Sequence, residues 1–166
     1  MSRFLSNIFR KMLKMEKPLM VLIWVVVISA ILINAYLSIY FENIRFRRYK
    51  LIFSIYENPT LNPLDILSLL FASLIVGLVL SDLKTLFISY ILSTIISLTL
   101  SILVCFCFIW YSLNLEGVLS AVPYGWEWGL YAVILNTFRL SFPLVYVVTL
   151  VGAMFGILIR NYLFYS

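Results

Sequence analysis

Apolar positions along the chain fall into four blocks, at residues 19–41, 64–81, 84–112 and 130–162, with polar breaks between them. A helix crosses a hydrocarbon core of roughly 30 Å with about 20 residues, so each block is of membrane-spanning length. Ahead of the first block, residues 2–17 place Phe4, Leu5, Ile8, Phe9, Met12 and Leu13 at helical spacing. Arg3, Ser6, Asn7, Arg10, Lys11, Lys14 and Lys17 fill the other face. This pattern fits a basic amphipathic helix on an anionic membrane surface, or a plain basic flank that only sets orientation. Pro18 is expected to separate this segment from the first span.

The breaks differ in kind. Residues 42–63 make the one sizeable loop, with "RFRRYK" at 45–50 and the turn-forming "YENPTLNP" at 56–63. Only "SDLK" separates the second and third blocks, which predicts a tight antiparallel hairpin, with Ser81 or Asp82 capping the third helix. The last block is too long for one upright span. Pro143 disfavours helix at Phe142, so an outer piece over about 128–140 should precede the true crossing. That piece is either the start of a kinked span or a separate interfacial helix. The expected architecture is all-α. Residues 1–17 form a basic cytoplasmic segment, and 18–166 form one membrane domain, a compact bundle of four transmembrane helices.

Small residues recur at every fourth position within these blocks. In the third block the row is Thr85, Ser89, Ser93, Ser97, Ser101 and Cys105. The second block carries Ser73, Gly77 and Ser81, and the last carries Gly152 and Gly156. In lipid, helices gain little by exchanging tails for one another's apolar side chains. They associate where small residues let backbones approach. The first two rows are symmetric about Leu83, so folding the hairpin sets Ser81 opposite Thr85, Gly77 opposite Ser89 and Ser73 opposite Ser93. The expectation is a packing surface rather than a solute path, with Gly152 and Gly156 receiving the remaining part of the third helix's row.

Composition strengthens the membrane assignment. The chain is 64% hydrophobic and 11% charged over 166 residues, with mean hydropathy +1.08. A soluble domain is nearer half apolar and a quarter charged. The net charge is +5, but the basic residues cluster beside the apolar blocks, which argues against nucleic acid as a partner. Membrane lipids, and another membrane protein or a second copy of this chain, are the expected partners. With Arg3, Arg10, Lys11, Lys14, Lys17, Lys84 and Arg160 on one side, the positive-inside rule places both termini in the cytoplasm and the protein in the cell membrane. The dissenting cluster is Arg45, Arg47, Arg48 and Lys50, which then faces outward and would hold lipid phosphate or an acidic partner.

Candidate chemistry is sparse. The sequence has no His, and Cys105 and Cys107 lie too close together along one helix for a CxxC pair. No motif implies a cofactor, a metal or a catalytic dyad, so no enzyme activity is expected. Asn34 is the one strongly polar residue of the first block. In the last block, Arg139 is either an interfacial anchor or, with Asn136, Thr137 and Glu127, an anion or lipid-headgroup site. "PYGWEWG" at 123–129 is an aromatic belt or a docking loop. Three functions fit this inventory. First is a small accessory or assembly subunit acting by helix packing and loop contacts. A transporter or channel component and a lipid-acting enzyme follow.

Overall fold

A computed structural model describes residues 2–45, 61–80, 82–115 and 125–165. Among these the chain forms five helices and no strand: α1 (Ser2–Arg45), α2 (Pro63–Val79), α3 (Leu83–Leu115), α4 (Gly125–Ser141) and α5 (Leu144–Tyr165). Three segments are long and apolar enough to cross a membrane, namely Pro18–Asn43, Leu83–Ser112 and Leu144–Tyr162. α2 is also apolar but has 17 residues, which spans about 26 Å.

Local chemistry sets the helix ends. Pro63 stands in the first turn of α2, where its missing N–H costs nothing. Asn62 closes a capping box, accepting from the Leu64 N–H at 3.3 Å while the Asp65 carboxylate accepts from the Asn62 N–H at 3.3 Å. Asp82 caps α3, accepting from the N–H groups of Lys84 and Thr85 and from the Thr85 hydroxyl.

The two prolines expected to act as breakers behave differently. α1 runs unbroken through Pro18, which corrects the expected separation there. Pro18 removes one N–H, so only the Lys14 carbonyl loses its helical partner, and it does so where the apolar segment begins. Pro143 does divide the final block, as expected, into an outer helix and a longer one that meet at Phe142 and Pro143. Hydroxyls gather at this break. The Ser141 Oγ donates to the Phe138 carbonyl at 2.9 Å and meets the Tyr146 hydroxyl at 3.1 Å. The Tyr90 hydroxyl donates to the Tyr146 carbonyl at 3.0 Å. Such side-chain bonds satisfy backbone groups where a helix is interrupted away from water.

α1 is the shared wall of the bundle. Its buried residues Trp24, Ile28, Leu32, Tyr36 and Tyr40 recur every fourth position and bridge two core clusters. Trp24, Ile28 and Leu32 pack with Leu69 and Val76 of α2 and Ala153 and Ile157 of α5. Tyr36 and Tyr40 pack with Cys105 and Ile109 of α3 and Ala132 and Val133 of α4.

The helices pair in parallel. The Ser97 hydroxyl reaches the Val25 carbonyl, and the Phe108 ring lies against Tyr40, so α1 and α3 run in one direction. Gly152 lies against Leu70 and Ser73, Gly156 against Leu74 and Gly77, and Arg160 reaches Val79, so α2 and α5 also run together. The expected tight α2–α3 hairpin interface is therefore corrected. The two helices are separated by only three residues along the chain, but α2 makes its most extensive contact with α5, and α3 makes its own with α1.

Candidate functional site

Two features drew attention in the sequence: the rows of small residues, and the polar group around Arg139. On α2, Gly77 faces α5 rather than Ser89. A Cβ built at Gly77 would fall onto the Ala153 carbonyl oxygen and lie 2.8 Å from the Ala153 carbonyl carbon. A Cβ at Gly156 would fall onto the Leu74 carbonyl oxygen and lie 2.8 Å from the Gly77 Cα, and one at Gly152 would lie 3.0 Å from the Ser73 Cβ. Backbone thus meets backbone along this seam. The physical reason for the new pairing is closeness of approach: two glycine-bearing faces fit more tightly than glycine against serine. Ser81 lies outside the described residues.

The α3 row turns to α1. Ser89, Ser93, Ser97, Ser101 and Cys105 are all buried, so the part of the row expected to meet Gly152 and Gly156 does not reach them. The hydroxyls close onto backbone. Ser97 donates to Ser93 at 2.6 Å and is also 3.2 Å from the Val25 carbonyl of α1. Ser101 donates to Ser97 at 2.7 Å, and Ser93 to Tyr90 at 3.0 Å. Thr85, at the start of the row, is taken up by the Asp82 cap.

The polar group on α4 is divided by helical geometry. Asn136 and Thr137 are buried, whereas Arg139 and Glu127 are exposed. Tyr36 of α1 faces Asn136 without a well-formed hydrogen bond from its hydroxyl. The Thr137 hydroxyl is fully buried and has no hydrogen-bond partner. Sequence reading missed Tyr36 and Tyr40. The available signal was their continuation of the Trp24, Ile28, Leu32 spacing. Arg45 is exposed at the end of α1, while Arg47, Arg48 and Lys50 lie outside the described residues, as do Pro123 and Tyr124 of the aromatic loop.

Arg160 has a role the sequence did not suggest. Its Nη1 donates to the Val79 carbonyl at 3.2 Å, a group left without an intrahelical partner at the end of α2. The positive charge also complements the negative end of the helix dipole. Arg160→Leu is expected to cost about 1 kcal/mol, read as a lowered thermal midpoint in detergent, with Arg160→Lys recovering part of it.

Among the described residues no group of three or more His, Cys, Asp or Glu side chains could hold a metal ion. What the arrangement supplies is close helix contact and a buried polar seam between α1 and α4. Comparison with protein-family models, with curated proteins and with solved structures finds no match to this chain.

Proposed function

We propose that the chain is a four-span protein of the cell membrane, both termini cytoplasmic, and that it works as a small accessory or assembly subunit. It acts through helix packing and loop contacts on a larger membrane protein. The observation that carries this reading is the closure of the serine row. Ser93, Ser97 and Ser101 are fully buried and bonded to backbone carbonyls, so the most polar row of α3 serves internal packing. The outward face of α3 is largely apolar, with Ile88, Ile91, Leu92, Ile95 and Leu103 exposed to lipid or to a partner helix, and its exposed Thr99 hydroxyl donates to the Ile95 carbonyl of its own helix. Lys84 and Arg160 gather at the end where α2 finishes and α3 begins, which supports placing that end inside.

The test is purification of the tagged chain from its native membranes in mild detergent, with mass spectrometry of what accompanies it. A larger membrane protein in fixed ratio is the expected result. Recovery of this chain with nothing but copies of itself would overturn the accessory role.

A second reading, a transporter or channel component, is favoured by the Thr137 hydroxyl, fully buried on α4 without a hydrogen-bond partner. It predicts solute flux into vesicles that Thr137→Val abolishes.

A further inference from the structure

α1 commits one face to the bundle and leaves the opposite face bare. Val26, Ala30, Asn34 and Ser38 lie on that bare face at four-residue spacing, and all are exposed. Among the described residues, exposed serine and threonine hydroxyls bond to carbonyls of their own helices. Ser38 donates to the Asn34 carbonyl at 2.8 Å, Ser68 to Leu64 at 2.9 Å and Thr99 to Ile95 at 2.9 Å. Asn34 is different. Its carboxamide brings two N–H donors and a carbonyl acceptor, and among the described residues its side chain takes no hydrogen bond. It stands two helical turns inside the apolar block that ends at Phe41, about 10 Å from that end. So short a side chain does not reach the interface from there. Its polar groups would be left in hydrocarbon, which is costly.

We propose that this face is covered by α1 of a second copy, with the two Asn34 carboxamides exchanging hydrogen bonds across a two-fold axis along the membrane normal. Copies of one chain enter the membrane in the same direction. A two-fold axis along the normal then sets each residue opposite itself at equal depth. A carboxamide is complementary to itself, donor to acceptor in both directions, whereas two carboxylates or two ammonium groups would repel. Ala30 and Ser38, one turn to either side, are small enough for the backbones to approach. The inference does not depend on the accessory-subunit reading, since it concerns contacts between copies and uses none of the α3 or loop surfaces.

The experiment uses the full chain in lipid vesicles, with Cys107, the exposed native cysteine, replaced by serine. With the buried Cys105 kept in every variant, one further cysteine is placed at Ala30 or Ser38 on the proposed face, or at Ile95 on the outward face of α3 as a control. Copper–phenanthroline oxidation is expected to give covalent dimers with Ala30→Cys and Ser38→Cys and not with Ile95→Cys. Adding Asn34→Leu should weaken association roughly tenfold, the scale of one interhelical carboxamide contact, and Asn34→Gln should retain it. Asn34 faces outward, so neither change disturbs the monomer's core. Equal cross-linking at Ile95→Cys, no dimer at Ala30→Cys, or indifference to Asn34→Leu would overturn the proposal. In native membranes, a cross-link from Ala30→Cys to a different protein would overturn it as well.

Discussion

Gly77→Leu is expected to abolish the folded bundle in mild detergent, and Gly77→Ala to destabilise it severely. The Cβ at this position meets the carbonyl of Ala153 and lies 2.9 Å from its Cα. A colliding side chain could rotate away, but a helix backbone yields only by moving the whole helix. Pushing α5 outward breaks the Gly156 contact with Leu74 and Gly77 and the Arg160 bond to Val79 together. Overpacking of a tight core typically costs 1–3 kcal/mol, and a leucine against backbone should exceed about 3 kcal/mol. The alanine series gives a ranking that a nonspecific effect would not produce. Gly77→Ala and Gly156→Ala should lower the thermal midpoint more than Gly152→Ala, whose Cβ meets the Leu70 carbonyl oxygen at 2.8 Å and the movable Ser73 side chain at 3.0 Å. Equal midpoints across the series would show that α2 and α5 do not touch as described.

Trp24→Ala should cost about 3–5 kcal/mol, the range for truncating a large buried aromatic. Trp24 is fully buried, and it ties three helices together. Its ring centroid lies 5.7 Å from that of Tyr90 on α3, and its Nε1 donates to the Ser73 hydroxyl on α2 at 3.0 Å. In a membrane the loss is one of packing contacts and a filled cavity rather than of transfer from water. Two milder variants separate the contributions. Trp24→Phe keeps most of the volume and deprives Ser73 of its donor, and Ser73→Ala deprives the indole of its acceptor. Each should cost about 1 kcal/mol. The double variant should cost less than the sum, because one bond is removed in both singles. Strict additivity in a thermal or denaturant series would mean that the bond is not formed.

The helices were legible because membrane-length apolar blocks and strong end signals coincide. Asn62-Pro63, Asp82 and Pro143 each mark a boundary by a local effect that needs no tertiary context. Pro18 was misread because its cost is a single carbonyl, which the continuous α1 absorbs. Partner choice was the harder problem. A row such as Ser73 and Gly77 announces that a helix can be approached closely, but every other small row answers equally well. The mirror symmetry about Leu83 favoured α3, and the tighter fit between glycines favoured α5. Trp24 and the Tyr36–Tyr40 pair belong to no polar motif or row of small residues. Only the packing reveals them as buried links between helices. Asn136 and Arg139 are less than one turn apart, yet that offset crosses the boundary between the buried and exposed faces of α4.

The parallel pairing of α2 with α5 constrains how the protein is made. The glycine face of α2 leaves the ribosome before α3 and α4 are synthesised, and its partner surface follows only with the last helix. Until then that glycine face of α2 lacks its main partner within the chain. The α1–α3 pair is complete much earlier and provides the fixed wall onto which the later helices close. A nascent chain stopped after Ser141 would hold α1, α3 and α4 in place while leaving α2 without its main contact. Stability should therefore appear late in translation, as a step when α5 arrives rather than a steady gain with length.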